Sequence, residues 1–176
     1  PFSRMGYTSD YGISWNYCNI VNITDIFSVI GTMPGDLVFF YVYDLWNNEQ
    51  LGIYRTENFG ISWIESNSGL PDISLNAISI DKLFNLYVFI DGEIYKLNKT
   101  NFIWEYFAEY NLNNITYVTY NKNNHFIVIN NNKIFISTDG IKWYPSIEGL
   151  ENVNIKIVES DSLGYFYAAG SGGRIY

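Results

Sequence analysis

Four tryptophans recur at a near-constant interval along this chain: Trp15, Trp63, Trp104 and Trp143 stand 48, 41 and 39 residues apart. A second landmark keeps the same interval. Short apolar runs centred on Ile53, Ile94, Ile134 and Ile175 are spaced by 41, 40 and 41 residues. Two independent landmarks with one period make chance a poor explanation. Such a period restricts the chain to stacked supersecondary units, because one unit alone cannot bury its apolar face.

Each period divides into four short strand-like runs. In one repeat these are Leu75–Ile80, Leu86–Ile90, Glu93–Leu97 and Ile103–Tyr106; in the next, Ile115–Tyr120, His125–Ile129, Lys133–Ser137 and Lys142–Tyr144. Gly, Asn and Asp clusters separate them, as antiparallel connections require. Aromatics make up 19% of the chain, dominated by 16 Tyr and 12 Phe. Such residues suit pleated, half-buried surfaces, and no long stretch repeats apolar residues at helical spacing. The expectation is an all-β chain: a β-propeller of four-stranded antiparallel blades. Blades are expected over residues 18–66, 67–107 and 108–146, with partial blades at 1–17 and 147–176. Residues 1–176 are thus read as one partial propeller of about four blades. Both ends supply a third strand, so further blades are expected before Pro1, after Tyr176, or both.

Between the third and fourth strands stands Thr8-Ser9-Asp10-Tyr11-Gly12-Ile13-Ser14-Trp15. It recurs as Thr56-Glu57-Asn58-Phe59-Gly60-Ile61-Ser62-Trp63 and, one residue shorter, as Ser137-Thr138-Asp139-Gly140-Ile141-Lys142-Trp143. At Leu97–Trp104 only Trp104 survives, with Lys99 and Asn101 where Asp and Gly would stand. The pattern resembles the Asp-box, or BNR repeat, S/T-x-D-x-G-x-x-W. The resemblance implies a structural hairpin: Asp10, Asn58 and Asp139 accept backbone N–H bonds, and Gly12, Gly60 and Gly140 take positive φ. Each Trp is then expected to bury its ring against the neighbouring blade. Sialidases, sortilin-type receptor ectodomains, xyloglucan-cleaving glycoside hydrolases and photosystem-assembly propellers share this motif. They differ in function, so the motif does not choose between them.

Most constellations that carry chemistry are absent from the sequence. The formal charge of −8 is spread out and offers no basic face for nucleic acid. No apolar run is long enough to span a membrane. A lone Cys18 and a lone His125 cannot form a zinc site, and no cofactor is implied. Three arginines, Arg4, Arg55 and Arg174, fall near third strands and do not converge as a sialidase requires. Glycoside hydrolysis needs two facing carboxylates, and loop acids such as Asp25, Asp36, Asp72, Asp91 and Glu148 read as solvated surface groups. Sequons at Asn22, Asn98 and Asn114 are no more than chance supplies.

One feature breaks the period. The 48-residue interval gains its extra length within Tyr43–Gln50, read as an enlarged loop on the face opposite the boxes. It carries Trp46, the only Trp outside a box, flanked by Asp44 and Glu49, a combination suited to sugar stacking or a protein hot spot. The function expected is a non-enzymatic binding or structural module for a protein or glycan partner, or for further blades, on an extracellular, cell-surface or virion protein. The alternative is a glycoside hydrolase whose carboxylates lie partly outside these residues; a third option is an intracellular assembly factor of the photosystem type.

Overall fold

The computed structural model describes residues 6–8, 10, 12–17, 26–33, 37–44, 49–58, 60–71, 75–121, 123, 125–171 and 175; for 6–7, 26–33, 43–44 and 49–51 the backbone alone is described. Every assigned element is a strand, and all pairings are antiparallel between chain neighbours. The chain divides into two compact units, Pro1–Ile73 and Ser74–Tyr176.

In the first unit β1 (Gly6–Tyr7) pairs with β2 (Asn16–Tyr17). A four-stranded sheet follows in the order β3 (Ile26–Met33), β4 (Leu37–Asp44), β5 (Glu49–Thr56), β6 (Ile64–Glu65). Here the structure corrects the enlarged loop expected over Tyr43–Gln50. Asp44 pairs with Glu49 and Tyr43 with Gln50, so the extra residues lengthen the hairpin to eight-residue strands. The added length is absorbed at a bulge, where the register shifts between Val42 and Tyr43 opposite Gly52. Gly52 sits at φ +103, and a Cβ there would stand 2.4 Å from Nδ2 of Asn67. That approach lets Asn67 Oδ1 accept the Ile53 N–H at 2.8 Å.

The second unit holds two complete blades and one hairpin. The first blade runs β7 (Leu75–Ile80), β8 (Leu86–Ile90), β9 (Glu93–Asn98), β10 (Ile103–Glu109). The second runs β11 (Ile115–Tyr120), β12 (Phe126–Asn130), β13 (Lys133–Ser137), β14 (Tyr144–Pro145). The hairpin is β15 (Ile155–Ser160) with β16 (Phe166–Gly170), to which Ile175 adds a bridge at Ala169. These strands follow the sequence reading to within one to three residues.

The two-fold alternation of a strand explains how the core is divided. Phe126 and Val128 of β12 pack with Tyr87, Phe89 and Ile94 of the preceding blade. Ile127 and Ile129, pointing the other way, pack with Ile155, Val158 and Ala168 of the following hairpin. A strand covered on both faces needs apolar residues throughout, and β8 and β12 are buried at every position. Each such side chain contributes about 1.5–3 kcal/mol on burial.

The turns recur as faithfully as the strands. Second and third strands are joined by two-residue connections with positive φ, Asp91-Gly92 (45°, 94°) and Asn131-Asn132 (50°, 62°). Those values match the twist of a type I′ hairpin. First and second strands are joined by a five-residue turn opened by Asp81, Asn121 or Asp161. Asp81 Oδ1 accepts the N–H groups of Leu83 and Asn85, both at 2.8 Å. Asn121 Oδ1 does the same for Asn123 and His125, and Asp161 Oδ1 for Leu163 and Tyr165. Because the His125 N–H is spent there, β12 starts one residue later than expected.

Candidate binding surfaces

The motif between third and fourth strands forms a closed hydrogen-bonded turn in all three copies. In the first, Thr8 Oγ1 donates to Asp10 Oδ1 at 2.7 Å and accepts the Gly12 N–H at 2.9 Å. Asp10 Oδ1 accepts the Ser14 N–H at 2.9 Å, and Oδ2 the Ser14 hydroxyl at 2.6 Å. These donors, led by the Ser14 hydroxyl, hold the Asp10 carboxyl down at about 2.

The second copy keeps this frame with an amide. Asn58 Oδ1 accepts from Thr56 Oγ1 at 3.0 Å and from the Ser62 N–H at 2.9 Å. Its Nδ2 then donates to Ser62 Oγ at 2.8 Å, the reverse of the Ser14 bond. In the shorter third copy, Ile141 N–H and Lys142 N–H both converge on Asp139 Oδ1 at 2.8 Å. Those bonds, that of Lys142 first, lower the Asp139 carboxyl. They also take the donor that a strand starting at Lys142 would have used, so β14 starts at Tyr144.

Gly12, Gly60 and Gly140 take φ of 89°, 83° and 76°, as the turn demands. The tryptophans behave less uniformly. Trp104 is buried; Trp63 and Trp143 are partly so. Trp63 lies 4.2 Å from Phe40 between ring centroids, and Trp143 Nε1 donates to the Gly140 carbonyl at 3.1 Å. Trp15 departs from the expected burial: it is 64% exposed beside a sheet that has only β1 and β2 among the described residues.

The fourth hairpin shows what replaces the motif. Asn98 and Phe102 close a short turn, with Phe102 N–H on the Asn98 carbonyl at 2.8 Å and Phe102 at φ 57°. Here Asn98 Oδ1 accepts the Thr100 N–H and Asn101 Oδ1 the Ile103 N–H, both at 3.0 Å, and β10 pairs with β9 from Ile103 to Glu109, seven residues where β6 and β14 have two.

Carboxylates and phenols pair repeatedly. Tyr95 donates to Glu93 Oε2 at 2.5 Å, Tyr117 to Glu159, and Tyr167 to Asp161 Oδ2 at 3.2 Å. The Glu93 bond pushes the Tyr95 phenol up to about 12; burial and then Glu159 raise that of Tyr117. At neutral pH these phenols stay protonated. Arg55, the one arginine among the described residues, is paired with Glu57 at 3.0 Å. Among the described residues no group of three or more His, Cys, Asp or Glu could hold a metal ion.

The candidate ligand-binding residues are placed only in part. Asp44 and Glu49 face each other as backbone partners at the end of the β4–β5 hairpin. Trp46 lies outside the described residues, as do Cys18, Arg4 and Arg174. The five-residue turns opened by Asp81, Asn121 and Asp161 follow the 40-residue spacing of those residues in the sequence.

No protein-family model and no curated protein matches the chain. Solved structures do. YCF48 bound to a D1 peptide is 15% identical with a TM-score of 0.67, over 98% of this chain and 56% of that one. The extracellular domain of a proposed one-component system from B. thetaiotaomicron is 14% identical with a TM-score of 0.64, over 92% of this chain and 23% of that one. A gluconolactonase from Xanthomonas campestris is 11% identical with a TM-score of 0.61, over 84% and 55%. The chain therefore spans little more than half the length of these proteins, or less. No helix is long and apolar enough to cross a membrane among the described residues. At these identities the likeness carries the fold: antiparallel four-stranded blades of a β-propeller.

Proposed function

We propose that residues 1–176 are part of one Asp-box β-propeller serving as a non-enzymatic binding or structural module, which recognises a protein or glycan through the loops opposite the box turns. One observation carries this reading: the recurring acids are consumed inside their own turns. Asp10 and Asp139 are held as carboxylates by their own turn's donors, so neither can deliver a proton near neutral pH. The motif is then a staple, and recognition falls to the connecting loops on a rigid frame. The Asp44–Glu49 hairpin end, together with Trp46 between them in the sequence, is the place proposed for the contact. A setting on an extracellular or surface protein is in keeping with the extracellular domains among the similar structures.

The test is binding of the whole chain to arrayed glycans and peptides, alongside turnover of aryl glycosides. Binding in one class, weakened by Trp46→Ala with unchanged unfolding, is the expected result. Glycoside turnover, or full binding by the Trp46→Ala protein, would overturn the reading.

A further inference from the structure

The outer edge of the first complete blade in the second unit differs from that of the other four-stranded sheets. β10 stands last in the order β10-β9-β8-β7 and runs for seven residues, where β6 and β14 have two. Among the described residues no strand lies beyond it in that sheet, so alternate N–H and C=O groups of β10 point outward from the ladder. Ile103–Tyr106 pairs with β9 in unbroken register before the shift between Tyr106 and Ala108. Such an edge is a template for one more extended strand. The side chains along it stand in water: Ile103 is 41%, Tyr106 56% and Phe107 38% exposed.

The charges beside the edge select the strand that fits. Glu93 and Glu109 are direct cross-strand partners, as are Tyr95 and Tyr106. Two carboxylates set opposite one another repel, so this pairing works against the fold. Neither is in an ion pair among the described residues, where the one such pair is Arg55 with Glu57. Both reach Tyr106, whose phenol is raised by desolvation and then by the Glu109 and Glu93 charges. Glu105, on the alternate face, stands opposite Lys96 and accepts from Asn98 Nδ2 at 2.8 Å. The surplus negative charge therefore falls to Glu93 and Glu109.

Two aromatic rings stand beside these acids. Tyr95 and Tyr106 lie 6.1 Å apart between centroids, with their planes at 87°. Tyr95 also donates to Glu93 Oε2 at 2.5 Å, which fixes the carboxylate next to the rings. Electron-rich walls at right angles, flanked by two carboxylates, suit an organic cation. A bound metal would need a larger set of ligands, and no group of three His, Cys, Asp or Glu converges among the described residues.

We propose that the β10 edge takes up an extended segment of a partner protein that carries lysine or arginine. The segment adds as a further strand beside β10, and a cationic side chain opposite Tyr106 lies against Tyr95, Tyr106, Glu93 and Glu109. The chain itself has a formal charge of −8, so the complement comes from a chain of opposite charge. The inference does not rest on the contact proposed at the Asp44–Glu49 hairpin end.

The experiment is fluorescence anisotropy of the whole chain with labelled peptides of alternating lysine and threonine. A second peptide has glutamate in place of lysine, and a third keeps the lysines but is N-methylated at alternate backbone nitrogens. The lysine peptide should bind, more weakly as salt rises, and the glutamate peptide should not. N-methylation removes the donors that strand addition needs and should abolish binding. Glu93→Gln with Glu109→Gln should lower the affinity about three- to tenfold, as the loss of two exposed ion pairs implies. The unfolding midpoint of that variant should stay or rise, because the repulsion is gone. Tyr106→Leu should weaken binding several-fold on its own. Equal binding of the plain and N-methylated peptides would overturn the proposal, as would no binding of the lysine peptide or an unchanged affinity in the double Gln variant. A lower midpoint for that variant would assign the two acids to the fold and overturn it too. So would a dimer of the chain alone that Ile103→Lys disperses, which would give the edge to a second copy.

Discussion

Gly140→Ala tests whether blade packing and turn geometry act together in the box hairpins. Gly140 sits at φ +76, where an added Cβ would lie 3.0 Å from Phe107 Cε1 and 3.4 Å from Phe126 Cζ. Gly149, in the same unit, has φ +77 with nothing within 4 Å of the added atom. The two alanines share the backbone cost, about 1–2 kcal/mol for a left-handed L-residue. At Gly140 the Phe107 ring must also give way. Its edge contact with Tyr87, at 5.5 Å between centroids, is then disturbed, a loss of about 0.5–1.5 kcal/mol. Gly140→Ala should therefore destabilise by roughly 1.5–3.5 kcal/mol against about 1–2 for Gly149→Ala. Urea unfolding of both variants, followed by far-UV circular dichroism, measures the difference. In a Phe107→Leu background the gap should close. If the two alanines cost the same, or the gap survives without the Phe107 ring, the packing argument fails.

Two further outcomes follow from the motif. Trp104→Ala should cost about 3–5 kcal/mol as a buried large-to-small change, and Trp15→Ala no more than about 0.5, both read from thermal unfolding. The Asp10 carboxyl lies at about 2 against an ordinary value of 3.8, so its contribution is complete above the ordinary value and lost as pH falls through about 2. A carboxyl titration by NMR should show that low midpoint. Asp10→Asn should remove the pH dependence while keeping the turn, as Asn58 already does.

The strands were legible because a blade strand covered on both faces must be largely apolar, and the sequence shows such runs at 86–90 and 126–129. The box turns were legible because Thr8, Asp10 and Gly12 meet requirements local to one hairpin. What lay beyond reach depended on partners far along the chain. The exposure of Trp15 is set by what packs against β1 and β2, which the motif does not encode. Residues 43–44 and 49–50 read as loop because their polar character hides a strand pairing, and the bulge at Gly52 reconciles the two.

The Asn98–Phe102 turn lacks the Ser/Thr hydroxyl paired with Asp or Asn found in the other three turns, and that bears on how this chain meets its own copies. A box turn keeps the outermost strand to two residues, too short a template for another chain. Without it, β10 presents seven residues at the edge of its sheet, with Ile103 and Tyr106 exposed. That is a nucleation point for edge-to-edge association, and the strand carries two defences against it. Glu105 and Glu109 place negative charge along the edge, and the register shift between Tyr106 and Ala108 bends the ladder out of line. Where the other blades stay apart by having almost no outer strand, this one stays apart by making its outer strand a poor partner.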